Sequence, residues 1–506
     1  MSISADNTTD KYHHKRLPKY RGVKWIKPDL PTASELWPLG KHRSIVKAPG
    51  QRDTTDYLLS EVMSKEKWRW PKRELFFFSD LHADADAFIA SLVASGGIRK
   101  TGEQDSDLKL TRRGREGCFV IGGDCFDKGP SNLRLLRVIR QLKKKGAKIT
   151  LLAGNHDIRI KLGISSVGLE PDPRHDHFFI RMGSKAIPML REITDQYLQD
   201  KSALKGIPPT RTCRSLLYPP KRWFKAFPQM ARWVMPDNRM AKELKRLKEK
   251  MDQFESDCEK AGLTLRQVYA AVLKWQSLFL RADGEFSWFF KEMKLAVHYG
   301  SFLFVHAGID DRMAKLINRK GVKYLNKQFK EDVDDEIFEF YYGPLANLIR
   351  TKYRDVDMPL TRKGVRLMNE VGIYAIVHGH TNRYHGQRIM LRKGMLNFEC
   401  DATVDRGSRK KEGLKGEGAA VTIFHPDRLV LGISTDYPQI KVFDIGKGSL
   451  ILSDDEDQME LKPEGLLQLK VTASQDSEKH RLNLRITWSA ADSEGIKQKK
   501  LKIKSD

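Results

Sequence analysis

Short apolar runs alternate with helical patterns through the middle of the chain. Leu75–Phe78 and residues 118–122 are fully apolar or nearly so, and "KITLLAGNHD" continues the series. Runs of this length bounded by turn residues are typical of buried strands. Leu133, Leu136 and Ile139 recur every three residues between two of the runs, a spacing that predicts a helix. Strands alternating with helices predict an α/β core with the strands in one sheet.

A second texture, helical and basic, occupies residues 185–292. One amphipathic pattern there is formed by apolar residues at alternating three- and four-residue spacing: Leu244, Leu247, Met251, Phe254 and Cys258. Thr264 with Gln267 is a capping-box signature that predicts the start of a second helix. The segment is therefore predicted to be a basic helical hairpin inserted into the α/β core.

These textures suggest a domain organisation. The predicted segments are an extended polar N-terminal arm at 1–55, a core at 70–184 and 293–440, the insertion at 185–292, and a C-terminal β-hairpin extension with a Lys-rich tail at 441–506. Within the core, "AVTIFHPDRLVLGIS" reads as a hairpin. The basic stretch 401–420 reads as a flexible loop.

Composition adds charge to this picture. The 506 residues include 91 Lys and Arg against 65 Asp and Glu, a formal net charge of +26. Such an excess favours polyanionic partners, with nucleic acid among them, although a highly charged soluble surface explains it equally well. Five scattered cysteines without a disulfide pattern favour a reducing, cytoplasmic location. The polar N-terminus does not read as a secretory signal, and no apolar run is long enough to span a membrane.

Candidate metal ligands follow five of the apolar runs. They are Asp80 with His82, Asp124, Asn155 with His156, His306 and His380. Asp80 and His82 lie two residues apart, so both would project from the same side of an extended stretch. Mixed oxygen and imidazole ligands suit Mn, Fe or Zn better than Mg or Ca. Two divalent cations sharing one carboxylate could activate water and neutralise a phosphate.

The motifs "SDLH", "GGDCFDKG", "GNHD", "VHAG" and "GHT", in this order, resemble those of the calcineurin-like metallophosphoesterase superfamily. The forms around Asp124 and Asn155 are most similar to the phosphoprotein-phosphatase branch, which includes bacterial Ser/Thr phosphatases and diadenosine tetraphosphate hydrolases. The resemblance covers about 75–165 and 295–435. It implies a double β-sheet sandwich flanked by helices, with a two-metal centre in which a metal-bound hydroxide attacks phosphorus.

The resemblance also implies a role for each motif residue. Asp80, His82 and Asp124 would hold the first metal, and Asp124, Asn155, His306 and His380 the second. His156 would protonate the leaving group, oriented by Asp127. Lys128 and Asn155 would contact the substrate phosphate. Two divalent ions, with manganese favoured over iron or zinc, would be the cofactors.

Two positions depart from the patterns of the superfamily. The branch usually has Arg where this chain has Lys128, and Lys is a point charge without the bidentate grip of Arg. Many diesterases of the superfamily carry a second His where this chain has Asn382. The leading hypothesis is thus hydrolysis of phosphate monoesters: a phosphoprotein, a nucleotide or a dinucleoside polyphosphate. A phosphodiesterase or nuclease, and a non-catalytic basic module that binds nucleic acid or protein, remain the alternatives.

Several other polar residues near the motifs receive no catalytic role. We expect His298 and His378 to be core histidines, and Asp157 to cap a helix. His175 and His177 are expected in a surface loop. The remaining residues without an assigned role are Arg350 and Arg354, which could equally grip a phosphate or lie on a solvated helix face, and Asp401 and Asp405.

Overall fold

The computed structural model describes residues 16–37, 45–47, 68–444, 467–476, 481–490 and 497–503. Two compact units can be separated, a large one that holds the predicted core and a small one formed mainly by the C-terminal residues. The architecture of the large unit is mixed α/β, as predicted.

The first sheet of the large unit has seven strands in the order β1-β15-β14-β13-β3-β6-β7. Their bounds are β1 Ser34–Leu36, β3 Leu75–Phe78, β6 Cys118–Ile121, β7 Ile149–Leu151, β13 Ala420–His425, β14 Leu429–Ser434 and β15 Ile440–Asp444. Strands β3, β6 and β7 are parallel neighbours. Their carboxyl ends therefore meet at one edge of the sheet. The predicted hairpin is present as the antiparallel pair β13 and β14.

The second sheet has six strands in the order β2-β11-β12-β10-β9-β8. Their bounds are β2 Ile45–Lys47, β8 Ala296–Tyr299, β9 Phe302–Val305, β10 Ala375–His378, β11 Arg388–Arg392 and β12 Met395–Glu399. Strands β9 and β10 are parallel. A separate two-stranded ribbon pairs β4 Ile98–Lys100 with β5 Leu108–Leu110.

Aromatic side chains fill the space between the two sheets. Phe77 of β3 meets Phe304 of β9 with ring centroids 5.6 Å apart, and Phe304 meets Phe424 of β13 at 5.1 Å. All three are buried. The opposite face of the first sheet, with Phe76 and Phe78, belongs to the core formed with the helices. This layering confirms the predicted double-sheet sandwich flanked by helices.

The α-helices among the described residues are α1 Ala85–Ala94, α2 Arg112–Glu116, α3 Asn132–Lys144, α4 Asn155–Ser165, α5 Phe178–Met182, α6 Ile187–Tyr197, α7 Thr210–Leu217, α8 Trp223–Ala231, α9 Asp237–Lys260, α10 Leu265–Phe279, α11 Ser287–Glu292, α12 Asp311–Asp334, α13 Ile337–Tyr342, α14 Arg362–Glu370 and α15 Arg406–Lys411. Helix α12 is interrupted at Gly321, whose φ of 77° is left-handed. Helix α9 matches the predicted amphipathic pattern, and α10 begins where the capping box predicts a helix start. Thr264 and Gln267 form the predicted capping box.

Residues 185–292 contain more than the predicted hairpin, because six α-helices from α6 to α11 fill the segment. The shorter helices escaped detection because their apolar positions are few. Their large side chains, such as Trp223 and Phe227 in α8, are nevertheless buried. Whether the segment is a separate insertion stays a prediction.

Three other segments differ from expectation. The arm contributes edge strands β1 and β2, one to each sheet, because its short apolar stretches pair with strands far along the chain. The loop 401–420 is not fully flexible, since it contains α15, where Arg409 is buried and pairs with Asp436 at 2.6 Å. The small C-terminal unit is a three-stranded antiparallel sheet of β16 Leu467–Asp476, β17 Arg481–Ala490 and β18 Lys497–Ile503. Its third strand occupies the predicted Lys-rich tail, where lysines alternate with Leu501 and Ile503.

Two general features complete the description. Among the residues described, no helix combines the length and apolar character that crossing a bilayer requires. All five cysteines are free thiols in buried positions.

Candidate metal centre

The predicted ligands converge because strand ends converge. Asp80 follows β3, Asp124 follows β6 and Asn155 follows β7, all at the carboxyl edge of the first sheet. His306 follows β9 and His380 follows β10 at the corresponding edge of the second sheet. The sandwich brings these two edges together.

Asp124 lies at the centre of the cluster. Its Oδ1 is 3.4 Å from Nε2 of His306, and its Oδ2 is 3.8 Å from Nε2 of His82 and 3.9 Å from Nε2 of His156. Each oxygen therefore faces a different set of imidazoles. Two overlapping groups can each hold a metal ion, one of His82, Asp124 and His156 and one of Asp124, His306 and His380.

The other predicted ligands complete the ring. Oδ1 of Asp80 lies 3.9 Å from Nε2 of His82, and Oδ1 of Asn155 lies 3.1 Å from Nε2 of His306. The backbone N–H of His380 donates to Oδ2 of Asp80 at 2.9 Å, which links the first motif to the last. The structure thus brings all six predicted ligands together. The assignment of each to a particular metal stays a prediction.

Hydrogen bonds orient the imidazoles. Nδ1 of His82 donates to the carbonyl of Phe126 at 3.1 Å, and Nδ1 of His306 donates to that of Gly122 at 2.8 Å. Nε2 of His380 donates to the carbonyl of Arg350 at 3.2 Å. A neutral imidazole that donates from one nitrogen presents a lone pair on the other. These contacts therefore prepare Nε2 of His82, Nε2 of His306 and Nδ1 of His380 as ligands.

The charges within the cluster also suit a cation. Burial by itself would raise the pKa of Asp124, but the nearby histidines, His306 above all, hold it well below the usual range. Burial would lower the pKa of His306, yet Asp124 and Asp80 raise it to about 10. The pKa of His82 falls well below its ordinary value, first through burial and then through Lys128. His306 is therefore protonated at neutral pH without a metal, and once a cation displaces that proton the carboxylates and neutral imidazoles form a donor set that fits Mn, Fe or Zn.

His156 and Asp127 form a hydrogen-bonded pair beside the cluster. Nδ1 of His156 lies 2.9 Å from Oδ2 of Asp127, and the backbone N–H of Asp127 donates to Oδ1 of Asn132 at 3.0 Å. Burial lowers the pKa of His156, while Asp124 and Asp127 oppose that shift. The pair has the geometry of an imidazole held by a second carboxylate.

Glu192 of α6 supports this pair from the helical segment. Its carboxylate accepts from the backbone N–H groups of Asn132 and Leu133 at 2.9 and 3.2 Å, at the start of α3. A carboxylate at a helix N-terminus is stabilised by the unpaired N–H groups there. Glu192 therefore fixes Asn132, which in turn fixes the backbone of Asp127.

Asp157 has a larger role than the predicted helix cap. Its carboxylate accepts from the N–H of Gly154 at 3.0 Å, which is the capping contact. It also accepts from the backbone N–H groups of Asp124 and Cys125, both at 2.8 Å. Burial, followed by the charge of Asp124, raises its pKa to about 7. Asp157 therefore holds the loop that carries the central ligand, a link that sequence spacing could not show.

Left-handed backbone conformations are concentrated in this centre. Positive φ angles occur at Asp80, His82, Asp124, Asp127 and His380, with values from 41° to 74°. Such conformations are costly for residues other than glycine and cluster at functional sites. They also correct the expectation that Asp80 and His82 share one side of an extended stretch, because the chain turns sharply after β3.

Two glycines permit the close approach of backbone and ligands. A Cβ on Gly379 would lie 2.0 Å from Oδ2 of Asp80, and one on Gly154 would lie 2.2 Å from Oδ1 of Asp124. Both distances are well inside van der Waals contact. The glycines of "GHT" and "GNHD" are therefore required by packing against the ligands.

Cationic side chains surround the centre. Nζ of Lys128 lies 2.7 Å from Nε2 of His82, the nitrogen that would bind a metal, so this hydrogen bond and coordination exclude each other. Burial lowers the pKa of Lys185, and the negative charges of Asp127 and Asp124 oppose that shift. Burial also lowers the pKa of Lys352, and the negative charges of Asp401 and Asp80 oppose that shift. Sequence reasoning missed both lysines because they lie far from the motifs along the chain.

Arg350 and Arg354, whose roles the sequence left undecided, differ in their exposure and partners. Arg350 is partly buried and lies with Arg159 along a small cavity beside Asn155, so it is not on a solvated helix face. Its guanidinium lies 5.0 Å from the ring centroid of Tyr341. Arg354 is exposed and pairs with Asp357 at 3.2 Å.

Other unassigned residues also have clear positions. Asp401 is buried, and burial followed by the charge of Asp80 raises its pKa to about 8. Asp405 accepts from the N–H of Ser408 at 2.7 Å in the first turn of α15. His378 is buried in β10, in agreement with the expected core histidine.

Two histidine expectations were wrong. His298 is exposed, because β8 is an edge strand whose outer face meets solvent. His177 is fully buried, with its ring 4.8 Å from that of Trp223 and its Nε2 2.9 Å from the hydroxyl of Tyr342. The aromatic residues that cover it lie in distant helices.

The double-sheet α/β sandwich, with buried Asp and His side chains at its strand ends, is the architecture that the sequence resemblance to metallophosphoesterases implies. A family model described as calcineurin-like phosphoesterase matches residues 74–212. This match covers Asp80, His82, Asp124, Asn155 and His156 of the cluster and supports a phosphoric ester hydrolase.

Solved structures with some similarity to this chain include phosphatases. A cold-active protein-tyrosine phosphatase of a psychrophile, Shewanella sp., is 14% identical, with a TM-score of 0.38 over 83% of this chain and 90% of that one. A protein serine/threonine phosphatase from Saccharomyces cerevisiae is 10% identical, with a TM-score of 0.32 over 80% and 93%. A search among curated proteins gave no match.

Proposed function

We propose that this protein is a two-metal phosphatase that hydrolyses phosphate monoesters. The observation that carries the proposal is the position of Asp124, whose two carboxylate oxygens face separate sets of imidazoles. One bridging carboxylate between two cations is a recurrent arrangement in phosphoester hydrolysis. Two divalent ions, with manganese favoured, would lower the pKa of a water and neutralise the phosphate when bound.

Protein groups would supply the remaining chemistry. The His156 imidazole is held at Nδ1 by Asp127 and keeps Nε2 to deliver a proton to the oxygen of the departing alcohol, so we assign it no metal although it lies in one of the two candidate groups. Asn155 and Lys128 would contact the phosphate, with Asn155 fixed by its position at the start of α4. Lys128 is exposed, so its side chain can turn from His82 toward a ligand.

Charge favours a monoester over a diester. A phosphate monoester carries about −1.5 to −2 charges at neutral pH, whereas a diester carries one. Lys128, Lys185 and Lys352 place cationic charge near the cluster in addition to any metal. Asn382 brings no further imidazole two residues after His380. Phosphoproteins, nucleotides and dinucleoside polyphosphates are the substrate classes that we propose.

The first experiment is phosphate release by purified protein with manganese, comparing p-nitrophenyl phosphate with bis-p-nitrophenyl phosphate. We expect preferential turnover of the monoester, and Asp124→Asn should abolish it. His298→Ala is the matched control, since that histidine is exposed on an edge strand away from the cluster. Preferential turnover of the diester would contradict the monoester assignment. Equal activity of Asp124→Asn and the unaltered protein would contradict the metal centre itself.

A further inference from the structure

A large basic groove lies at the edge of the first sheet opposite the metal centre. Residues 72–74 precede β3, Gly117 precedes β6 and Lys148 precedes β7, and all of them line the groove. Because these three strands are parallel, their amino ends share the edge that their carboxyl ends leave. The groove is therefore separate from the catalytic site.

The groove is strongly cationic. Twelve Lys and Arg residues line it, against three acidic residues. The three acids are already engaged, since Glu74 binds Arg113, Glu116 binds Arg112 at 2.9 Å, and Asp427 binds Arg16 at 3.1 Å. The cationic residues of the lining thus outnumber the acidic ones by nine. They include Arg73, Arg99, Lys109 and Lys148, all of which are exposed.

Size and lining indicate the kind of ligand. The cavity volume is about 1520 Å³, beyond the roughly 300–1,000 Å³ of small-molecule pockets. Among the described residues that line it, none is Phe, Tyr or Trp, so the groove offers no stacking platform for unpaired bases. Its apolar side chains are recessed, since Leu108 is buried and Leu17 and Leu110 are partly so. A concave surface of this kind has nothing to insert into a lipid bilayer.

We propose that this groove binds the phosphate backbone of double-stranded nucleic acid without reading its sequence. Lys and Arg contacts to phosphate position a protein on nucleic acid but carry no base information. A continuous row of phosphates matches an extended cationic lining, and the net charge of +26 adds attraction at long range. The site would tether the phosphatase to nucleic acid while leaving the metal centre accessible.

The test is the binding of a fluorescein-labelled DNA duplex of about 24 base pairs. Binding is measured by fluorescence anisotropy across a salt series in the presence of EDTA. The groove variant combines Arg73→Gln, Lys109→Gln and Lys148→Gln. Each lost phosphate contact reduces the slope of log affinity against log salt by about 1. We therefore expect a slope lower by up to about three and an affinity at least tenfold weaker at low salt. A duplex of scrambled sequence should bind equally well.

A matched variant removes the same charge elsewhere. Lys242→Gln, Lys245→Gln and Arg246→Gln alter exposed positions on α9 and should leave binding within about twofold of the unaltered protein. A second groove variant combines Lys72→Gln, Arg99→Gln and Lys145→Gln. Thermal unfolding verifies that all three variants fold. The proposal is overturned if the α9 variant weakens binding as much as the groove variants. It is also overturned if the duplex does not bind, or if phosphatidylserine vesicles or polyglutamate bind more tightly than the duplex.

Discussion

At the scale of single residues, the centre depends on a few side chains that hold others in place. His156 is positioned by Asp127, and the loop that carries Asp124 is held by Asp157. These supporting contacts are charged or backbone hydrogen bonds in a buried setting, where an unpaired partner is costly. Replacing a support should therefore have a different signature from replacing a ligand.

The proposed general acid should matter most for poor leaving groups. His156→Ala should lower kcat for phosphoserine by about 10²–10⁴-fold. The loss with p-nitrophenyl phosphate should be much smaller, because that leaving group is stable as an anion. Steady-state kinetics on the two substrates measures the difference, and Asp127→Asn should show the same pattern in weaker form. Equal losses on both substrates would mean that His156 does not protonate the leaving group.

Asp157→Asn should loosen the central ligand loop. The asparagine amide keeps one oxygen as an acceptor, but its NH2 group must face the backbone N–H of either Asp124 or Cys125, where a carboxylate oxygen now accepts. We expect metal affinity to fall by about 10–100-fold, as for other partners that orient ligands. Isothermal titration calorimetry with manganese measures the change.

The matched control is Asp310→Asn, which removes a buried carboxylate that caps α12. It should reduce the free energy of unfolding without changing metal affinity. If both variants weaken metal binding to the same degree, Asp157 has no particular part in the centre.

At the scale of elements, helices of the 185–292 segment pack directly on the ligand loop. Phe126 lies in that loop, and its ring is 5.8 Å from Phe279 of α10, 5.4 Å from Phe289 and 6.0 Å from Phe290 of α11. Glu192 of α6 adds the hydrogen bonds at the start of α3. The helical segment thus supports the geometry of the centre as well as adding surface.

Phe279→Ala should therefore impair the site as well as stability. Removing a buried aromatic ring costs about 3–5 kcal/mol of unfolding free energy, and Phe227→Ala should cost a similar amount. Only Phe279→Ala should also weaken manganese binding, because Phe227 packs on Trp223 and His177 instead. Denaturant unfolding and calorimetry on both variants make the comparison. Similar metal affinities in the two variants would rule out support through Phe126.

At the scale of the whole molecule, metal binding and stability should be linked. Two sheets and the helical segment each contribute a side chain or a support to one cluster, so a bound ion ties them together. Ligands that bind only the folded state stabilise it by about 2.7 kcal/mol at a concentration of a hundred times Kd. Manganese should therefore raise the thermal midpoint of the whole large unit, and Asp124→Asn should remove that effect.

The same binding should depend on pH through His306. Its pKa is raised from 6.5 to about 10 by Asp124 and Asp80, so the metal-free protein holds a proton there at neutral pH. That proton stabilises the metal-free fold fully below the unfolded pKa, and the contribution is lost as pH rises through about 10. A metal must displace the proton, so affinity should rise about tenfold per pH unit between these values. Calorimetry in buffers of different ionisation enthalpy should detect one released proton, and a pH-independent affinity would contradict this account.

The sequence by itself determined the strands that precede the ligands, the helices α3, α9 and α10, and the polar residues at the strand ends. Apolar runs of four or five residues define buried strands locally, and the capping box at Thr264 defines a helix start, so neither depends on distant contacts. The ligand residues could be predicted because each motif follows such an apolar run. The short helices α7 and α8 could not be predicted, because their apolar positions are too few for a periodic signal.

Only the tertiary structure decided which groups surround the ligands and where the charge is concentrated. Asp157 holds the ligand loop through hydrogen bonds that no local spacing encodes, and Lys185 and Lys352 interact electrostatically with its carboxylates from distant parts of the chain. His177 is buried and His298 exposed because distant elements cover one and leave the other at a sheet edge. The basic groove is assembled in the same way, from residues scattered between 16 and 427. A net charge is a sum over the chain, whereas a site requires that folding bring its members together.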